Sequence, residues 1–259
     1  MGFDGKRRID RTVHYADDIQ MKTNATVRDR VDALPWRQLH DSFSARGYAE
    51  TGPLLTSDEC AELRSLYARD ELFRSKVVME RVRFGRGDYK YFANPLPDVV
   101  LELRTHSYPH LAKVANDWAD ALNEETRFPR NHAAYLDQCH RAGQTRPTPL
   151  LLHYEQDGYN CLHQDIYGAV SFPLQMVFML GQQERDWQGG EFVLVEQRPR
   201  AQSVAEVVTP DEGCAVIFTT HHRPVSGSKG FYRVNMKHGV ARVRSGTRYT
   251  LGIIFHDAE

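Results

Sequence analysis

Beyond residue 149 the chain alternates between short apolar runs of strand length and small clusters of turn residues. The runs fall at 150–155, 161–167, 174–180, 191–196, 204–208, 215–219, 238–243 and 249–255. Between them lie Gln156-Asp157-Gly158, Trp187-Gln188-Gly189-Gly190 and Pro210-Asp211-Glu212-Gly213, compositions that turn a chain back on itself. Eight such strands predict a mainly β core of two packed antiparallel sheets, a cupin-like jelly roll or double-stranded β-helix; a strand count alone also fits another barrel or sandwich.

The preceding part reads as mostly helical. Trp36, Leu39 and Phe43 recur at helical steps and end at Gly47, as a short helix would. Thr56-Ser57-Asp58-Glu59 supplies a cap and acidic first turn for a second helix, whose apolar stripe runs through Leu63, Leu66, Tyr67, Leu72 and Phe73. Residues 77–84 and 89–92 resemble a strand pair across Gly85-Arg86-Gly87-Asp88, and 99–104 and 111–122 two further helices, the second carrying Trp118. The expected organisation is an α-helical buttress at 31–148 packed on a core at 149–259. Residues 1–30 are polar, with Lys6-Arg7-Arg8 and Asp17-Asp18, and are expected to form a flexible lead-in in which Met21 is an alternative start.

Composition narrows the setting. The 259 residues are 41% hydrophobic with a net charge of −1, enough apolar content for a real core and no global pull toward polyanions. Cys60, Cys139, Cys161 and Cys214 show no metal or redox spacing, and neither a signal-peptide core nor a membrane-length apolar run is visible. A cytoplasmic protein without membrane attachment is expected, and no obligate protein partner is inferred.

His163 and Asp165, two apart on a strand, face the same side and can present two metal ligands together. A second histidine would complete a two-His, one-carboxylate set with three open positions, suited to non-haem Fe(II). Cys161 shares that face; it is a fourth candidate ligand or a small buried hydrophobe. His238 is favoured as the missing ligand over His221 and His222, because it alone has an Arg ten residues later in a strand-like segment. Residues 237–243 and 248–256 read as a hairpin about the turn 244–247, which would bring His238 and Arg248 to one site. His221-His222-Arg223-Pro224 reads as a loop, His256 as structural or exposed, and His153 as facing away from Tyr154.

These residues resemble the Fe(II)/2-oxoglutarate dioxygenases: His163-Gln164-Asp165, a distal His238, and Arg248 beyond it. The strings Pro149 to Tyr154, Asn160 to Gly168, Gly189-Gly190-Glu191-Phe192, Glu196 to Arg200 and Leu251 to Asp257 resemble a bacterial subfamily described as acting on alkylated DNA. The resemblance implies Fe(II) held by His163, Asp165 and His238, with 2-oxoglutarate and O2 as co-substrates and succinate and CO2 as products. It implies that Arg248 holds the far carboxylate of 2-oxoglutarate, with Tyr154 as a hydroxyl partner or a core tyrosine. Thr250, on the face of Arg248, is a further hydroxyl candidate. Gly190 and Glu191 are read as architectural.

Between residues 197 and 247, eight basic side chains (Arg198, Arg200, Arg223, Lys229, Arg233, Lys237, Arg242, Arg244) face three acids, with Phe231 and Tyr232 among them. Such a segment is either a nucleic-acid surface or a solvated one. Three function classes follow. The first is an oxygenase that oxidatively demethylates alkylated nucleic acid, with any duplex lesion flipped out. The second hydroxylates a protein side chain, as prolyl hydroxylases do, or a small metabolite. The third is a metal-binding jelly roll without catalysis.

Overall fold

Two antiparallel sheets face each other across one cavity, and helices cover the back of the larger sheet. The structure, a computed structural model, describes residues 25–166 and 168–259. The Lys6-Arg7-Arg8 and Asp17-Asp18 clusters and Met21 lie outside the described residues. In chain order the elements are α1 (Val27–Asp32), α2 (Trp36–Arg46), β1 (Tyr48–Pro53), α3 (Ser57–Leu66), β2 (Phe73–Val78), β3 (Gly85–Arg86), β4 (Asp88–Phe92), α4 (Asp98–Ala121) and α5 (His132–Arg141). The strands β5 (Leu150–Tyr154), β6 (Tyr159–His163), β7 (Leu174–Met179), β8 (Trp187–Gly189), β9 (Phe192–Gln197) and β10 (Val204–Val208) follow. The chain closes with β11 (Cys214–Thr219), β12 (His222–Gly227), β13 (Gly230–Val240), β14 (Val243–Gly246) and β15 (Arg248–Ile253).

The larger sheet runs β1-β11-β7-β15-β5-β4-β2, and the smaller β10-β9-β13-β6-β3, with β12 paired to β13. Residues 31–148 therefore supply β1 to β4 to the sheets as well as helices. Alternation along the central strands divides the core. From β7, Leu174, Met176 and Phe178 join a cluster shared with the helices, while Val177 and Met179 join one between the sheets. On β11, Ala215 and Ile217 join the cluster shared with the helices and Val216 and Phe218 the one between the sheets, the period-two consequence of a strand buried on both faces.

Local chemistry accounts for the helix ends. Thr56 and Glu59 form a reciprocal capping box at the start of α3, and α2 stops at Gly47 in the left-handed region at φ 79°. The expected helices at 99–104 and 111–122 are instead one 24-residue helix, α4, that continues through Pro109. Proline removes one intrahelical hydrogen bond there. Buried Val100, Leu103, Leu111 and Val114 on either side of it keep the helix on the sheet.

Other expectations are corrected as well. The segment 237–256 is not a hairpin: β13 lies in the smaller sheet, β15 in the larger, and β14 between them pairs with β8. The hairpin is β12–β13, with His222 opposite Asn235, so His222 opens a strand and not a loop. The strand expected at 77–84 ends at Val78 and gives way to a 3-10 turn, Met79–Val82. The one expected at 161–167 ends at His163, which leaves Asp165 just beyond it. Among the described residues, no helix is long and apolar enough to cross a membrane.

Candidate functional site

Antiparallel pairing sets His163 of β6 directly opposite His238 of β13, with ring centroids 4.2 Å apart. Asp165 follows where the strand has ended. Its N–H donates to the Thr220 carbonyl (3.2 Å), and the Gln164 amide donates to the carbonyls of His221 (3.0 Å) and Met236 (2.9 Å), so this turn is tied to β13 and to the residues before β12. The carboxylate then lies between the imidazoles, Oδ1 at 3.4 Å from His163 Nε2 and Oδ2 at 3.3 Å from His238 Nε2. One ligand atom from each of the three residues falls within 4.8 Å of the others, a donor set that fits an iron ion.

The surroundings of these groups differ. His163 Nδ1–H donates to the Cys161 carbonyl at 2.7 Å, which fixes its tautomer and leaves Nε2 for the centre. His238 is buried against Phe218, and its Nδ1 has no hydrogen-bond partner. Burial alone would lower both imidazole pKa values; Asp165 outweighs this at His163, which is raised, while His238 stays lowered. Burial works to raise the Asp165 carboxyl, but the two imidazoles hold it well below the usual carboxylate range. Gln175, on the cavity face of β7, donates its amide to Asp165 Oδ2 at 2.5 Å.

Arg248 enters from the opposite sheet. It opens β15 opposite Tyr154 of β5 and is 1% exposed, with its guanidinium 5.5 Å from the Tyr154 ring centroid. Nη2 donates to Met179 Sδ at 3.6 Å, while Nε and Nη1 have no partner. Burial pushes its pKa down to about 10, so the group is still charged at neutral pH. Gly190, at φ 65°, gives the side chain room: a Cβ there would lie 3.0 Å from Arg248 Cδ.

Tyr154 Oη, Thr250 Oγ1 and Asn160 Oδ1 are also buried without partners and line the same cavity as the triad and Arg248. A buried cation beside several unsatisfied polar groups is costly unless something of opposite charge and matching hydrogen-bond capacity joins it. A dicarboxylate that reaches from the triad to Arg248 meets that requirement, so the residues present fit 2-oxoglutarate.

The remaining candidates separate from this cluster. Cys161 contributes its backbone carbonyl and does not join the ligand set. His221 and His222 pair with each other through their Nδ1 atoms at 2.9 Å. His153 stacks on Tyr249, and His256 is buried. Of the basic segment, Arg223 is 2% exposed and bound to Glu196, so it is no part of a surface. Sequence reading passed over Gln175 and Asn160. The signal for Gln175 was present: it is the one polar residue in the otherwise apolar run Leu174–Met179.

A family profile described as an oxygenase catalysing oxidative methylation of damaged DNA matches residues 87–258. Uncharacterized proteins of two Mycobacterium tuberculosis strains are 46% identical over 167 residues, 64% of this chain and 72% of theirs. Among solved structures, a prolyl 4-hydroxylase from Phytophthora capsici superposes with a TM-score of 0.52 at 16% identity, covering 90% of this chain and 66% of that one. The non-haem, α-ketoglutarate-dependent epimerase SnoN of nogalamycin biosynthesis does so with a TM-score of 0.50 at 15% identity, covering 85% and 82%. At these identities the likeness is one of fold, whereas the profile spans well over half of the sequence: the chain belongs to that oxygenase family and is an oxidoreductase.

Proposed function

We propose that the chain is an Fe(II)- and 2-oxoglutarate-dependent dioxygenase that oxidises N-methyl groups on alkylated DNA bases. The observation that carries the cofactor reading is the buried guanidinium of Arg248, its Nε and Nη1 without partners, in the same cavity as the His163, Asp165 and His238 donors. The family's description supports the substrate reading. That description speaks of methylation, but an oxygenase inserts oxygen. Hydroxylation of an N-methyl carbon gives an N-hydroxymethyl group that breaks down to the N–H base and formaldehyde.

With iron, 2-oxoglutarate and O2 bound, the site would have the oxidising equivalent that hydroxylation of an N-methyl carbon needs, with succinate and CO2 as co-products. The chain supplies position and enclosure. His163, His238 and Asp165 would hold the metal, with His163 oriented by the Cys161 carbonyl and Asp165 by Gln175. Arg248 would fix the distal carboxylate of the keto acid, with Tyr154 and Thr250 hydroxyls adding hydrogen bonds. Burial of Arg248, Tyr154 and Thr250 keeps water from that end of the cavity.

The test is formaldehyde release from N-methylated oligonucleotides, set beside succinate formation with a panel of peptides and amino acids. Formaldehyde that depends on iron, 2-oxoglutarate and the methyl group is the expected result. Succinate coupled to a peptide, with oligonucleotides inert, would replace the substrate reading and leave the cofactor reading in place.

A further inference from the structure

A second cleft opens beside the triad, and Asp165 belongs to the walls of both. It lies between the C-terminal end of α4 and the start of β12. Trp118, Leu122 and Ile166 give it an apolar side, and Glu124, His221 and His222 a polar one. Next to it is the outward face of β13, where Phe231, Arg233 and Lys237 are exposed at alternate positions and Arg233 Nη2 reaches Glu124 Oε1 at 2.7 Å. A partly apolar slot that reaches Asp165, with Arg233 held at its Glu124 wall and further basic and aromatic side chains along the same strand face, suits a flat heterocycle attached to a polyanion.

The polar side has a defined hydrogen-bond sense. Two ring nitrogens 2.9 Å apart, His221 Nδ1 and His222 Nδ1, share one proton. His222 Nε2 lies 3.4 Å from Glu124 Oε1, and a carboxylate favours a proton on the nitrogen that faces it. Neutral His222 then carries its proton at Nε2 and accepts at Nδ1, so His221 donates from Nδ1. The Nε2 of His221 is left as a bare acceptor. Burial lowers both imidazole pKa values, helped at His221 by Arg233, in keeping with neutral rings.

We infer that this cleft receives the alkylated base, and that His221, set by Glu124 and His222, accepts a hydrogen bond from an exocyclic amino group on it. The inference rests on the nucleic-acid reading above and narrows it: the preferred substrates are amino-bearing bases, and bases with a carbonyl at that position are poor ones. It makes His221 a specificity residue and leaves the metal to His163, Asp165 and His238.

The experiment measures the affinity of the metal-free chain, by fluorescence anisotropy, for single-stranded oligonucleotides carrying one 3-methylcytosine or one 3-methyluracil. The two bases match in outline and differ at position 4, amino against carbonyl. Wild type should prefer 3-methylcytosine by about tenfold or more, the scale of one hydrogen bond left unmade. His221→Ala should lose that preference, and Glu124→Ala, which frees the tautomer, should lower it. The charge-transfer band of added Fe(II) and 2-oxoglutarate reports that each variant is folded. Because 3-methylcytosine is also cationic, a preference that persists in His221→Ala would be electrostatic and would overturn the assignment, as would equal binding of the two oligonucleotides by wild type. Failure of wild type to bind either one would remove the nucleic-acid reading together with this inference, while the band would still report on the cofactor site.

Discussion

At the scale of single residues, the least compensated group in the described structure is the guanidinium of Arg248. Its one hydrogen bond goes to a thioether, and its Nε and Nη1 have none. A charge-assisted contact from such a group to a carboxylate is worth roughly 1.5–3 kcal/mol, so Arg248→Ala should weaken 2-oxoglutarate binding on the order of 10- to 150-fold. Arg248→Lys should recover part of it, since the charge survives but the planar fork does not. Arg242 is the control: it is exposed, donates to the Asp157 carbonyl and stacks on Tyr159. Titration of 2-oxoglutarate into the iron-loaded variants decides between them, and an unchanged constant for Arg248→Ala would withdraw the assignment. Spacing on a strand pointed to His163 and Asp165, whereas His238 and Arg248 were joined to them through the family resemblance, and the structure brings all four to one cavity. Gln175 was missed because its meaning depends on which face of β7 it occupies, and a run apolar on both faces does not reveal that.

At the scale of elements, the strands were readable where burial imposes a pattern and obscure where a distant partner does. Val204–Val208 has the limits expected from its sequence, and β5, β7 and β11 differ from expectation by one residue at an end. The opening of β12 was hidden by His222-Arg223-Pro224, whose charge looks like loop chemistry until Glu196 of β9 is seen to neutralise Arg223 inside the fold. Along β13, Val234, Met236 and His238 are buried between exposed Arg233, Asn235 and Lys237, an alternation that the sequence displays but that its flanking Gly residues masked. The link between His238 and Arg248 was likewise placed on the wrong element, since they meet across two sheets and not along one hairpin. The chain between them passes through β14, which pairs with β8 and sets Val243 opposite Gly189, next to Gly190. Gly190→Ala adds a methyl 3.0 Å from Arg248 Cδ and 2.9 Å from Val243 Cγ2 at a positive φ. It should lower stability by about 1 kcal/mol or more and also weaken 2-oxoglutarate binding. Gly143→Ala, with φ 84° and nothing within 4 Å, should share the stability loss alone. Equal 2-oxoglutarate affinities in the two variants would show that Gly190 does not shape the Arg248 site.

At the scale of the whole molecule, the C-terminal residues join helices to sheet. Arg104 of α4, 2% exposed, donates to the carbonyls of Ile254, Phe255 and His256 and pairs with Asp257 at 2.8 Å. His132 of α5 donates from Nε2 to the Phe255 carbonyl at 2.8 Å, and His256 Nδ1 accepts the Phe172 N–H at 3.2 Å. Burial, reinforced by the Arg104 charge, pushes the pKa of His256 down to about 4 and that of His132 to about 3. An unfolded chain protonates both near 6.5. Below that value the unfolded state binds more protons than the native one, so stability falls as pH drops from about 6.5 toward 4. The His256→Asn variant isolates one share of this, because Asn can keep an acceptor for Phe172 without titrating. Between pH 7.5 and pH 5, a folded pKa near 4 against 6.5 unfolded costs wild type about 2 kcal/mol at this position. Urea unfolding of the metal-free chain at the two pH values should therefore show His256→Asn losing about 2 kcal/mol less than wild type. The triad contributes to both proteins alike and cancels in the difference. An equal loss in the two would mean that His256 is already protonated in the native fold, and the neutral acceptor assigned to its Nδ1 would have to be given up.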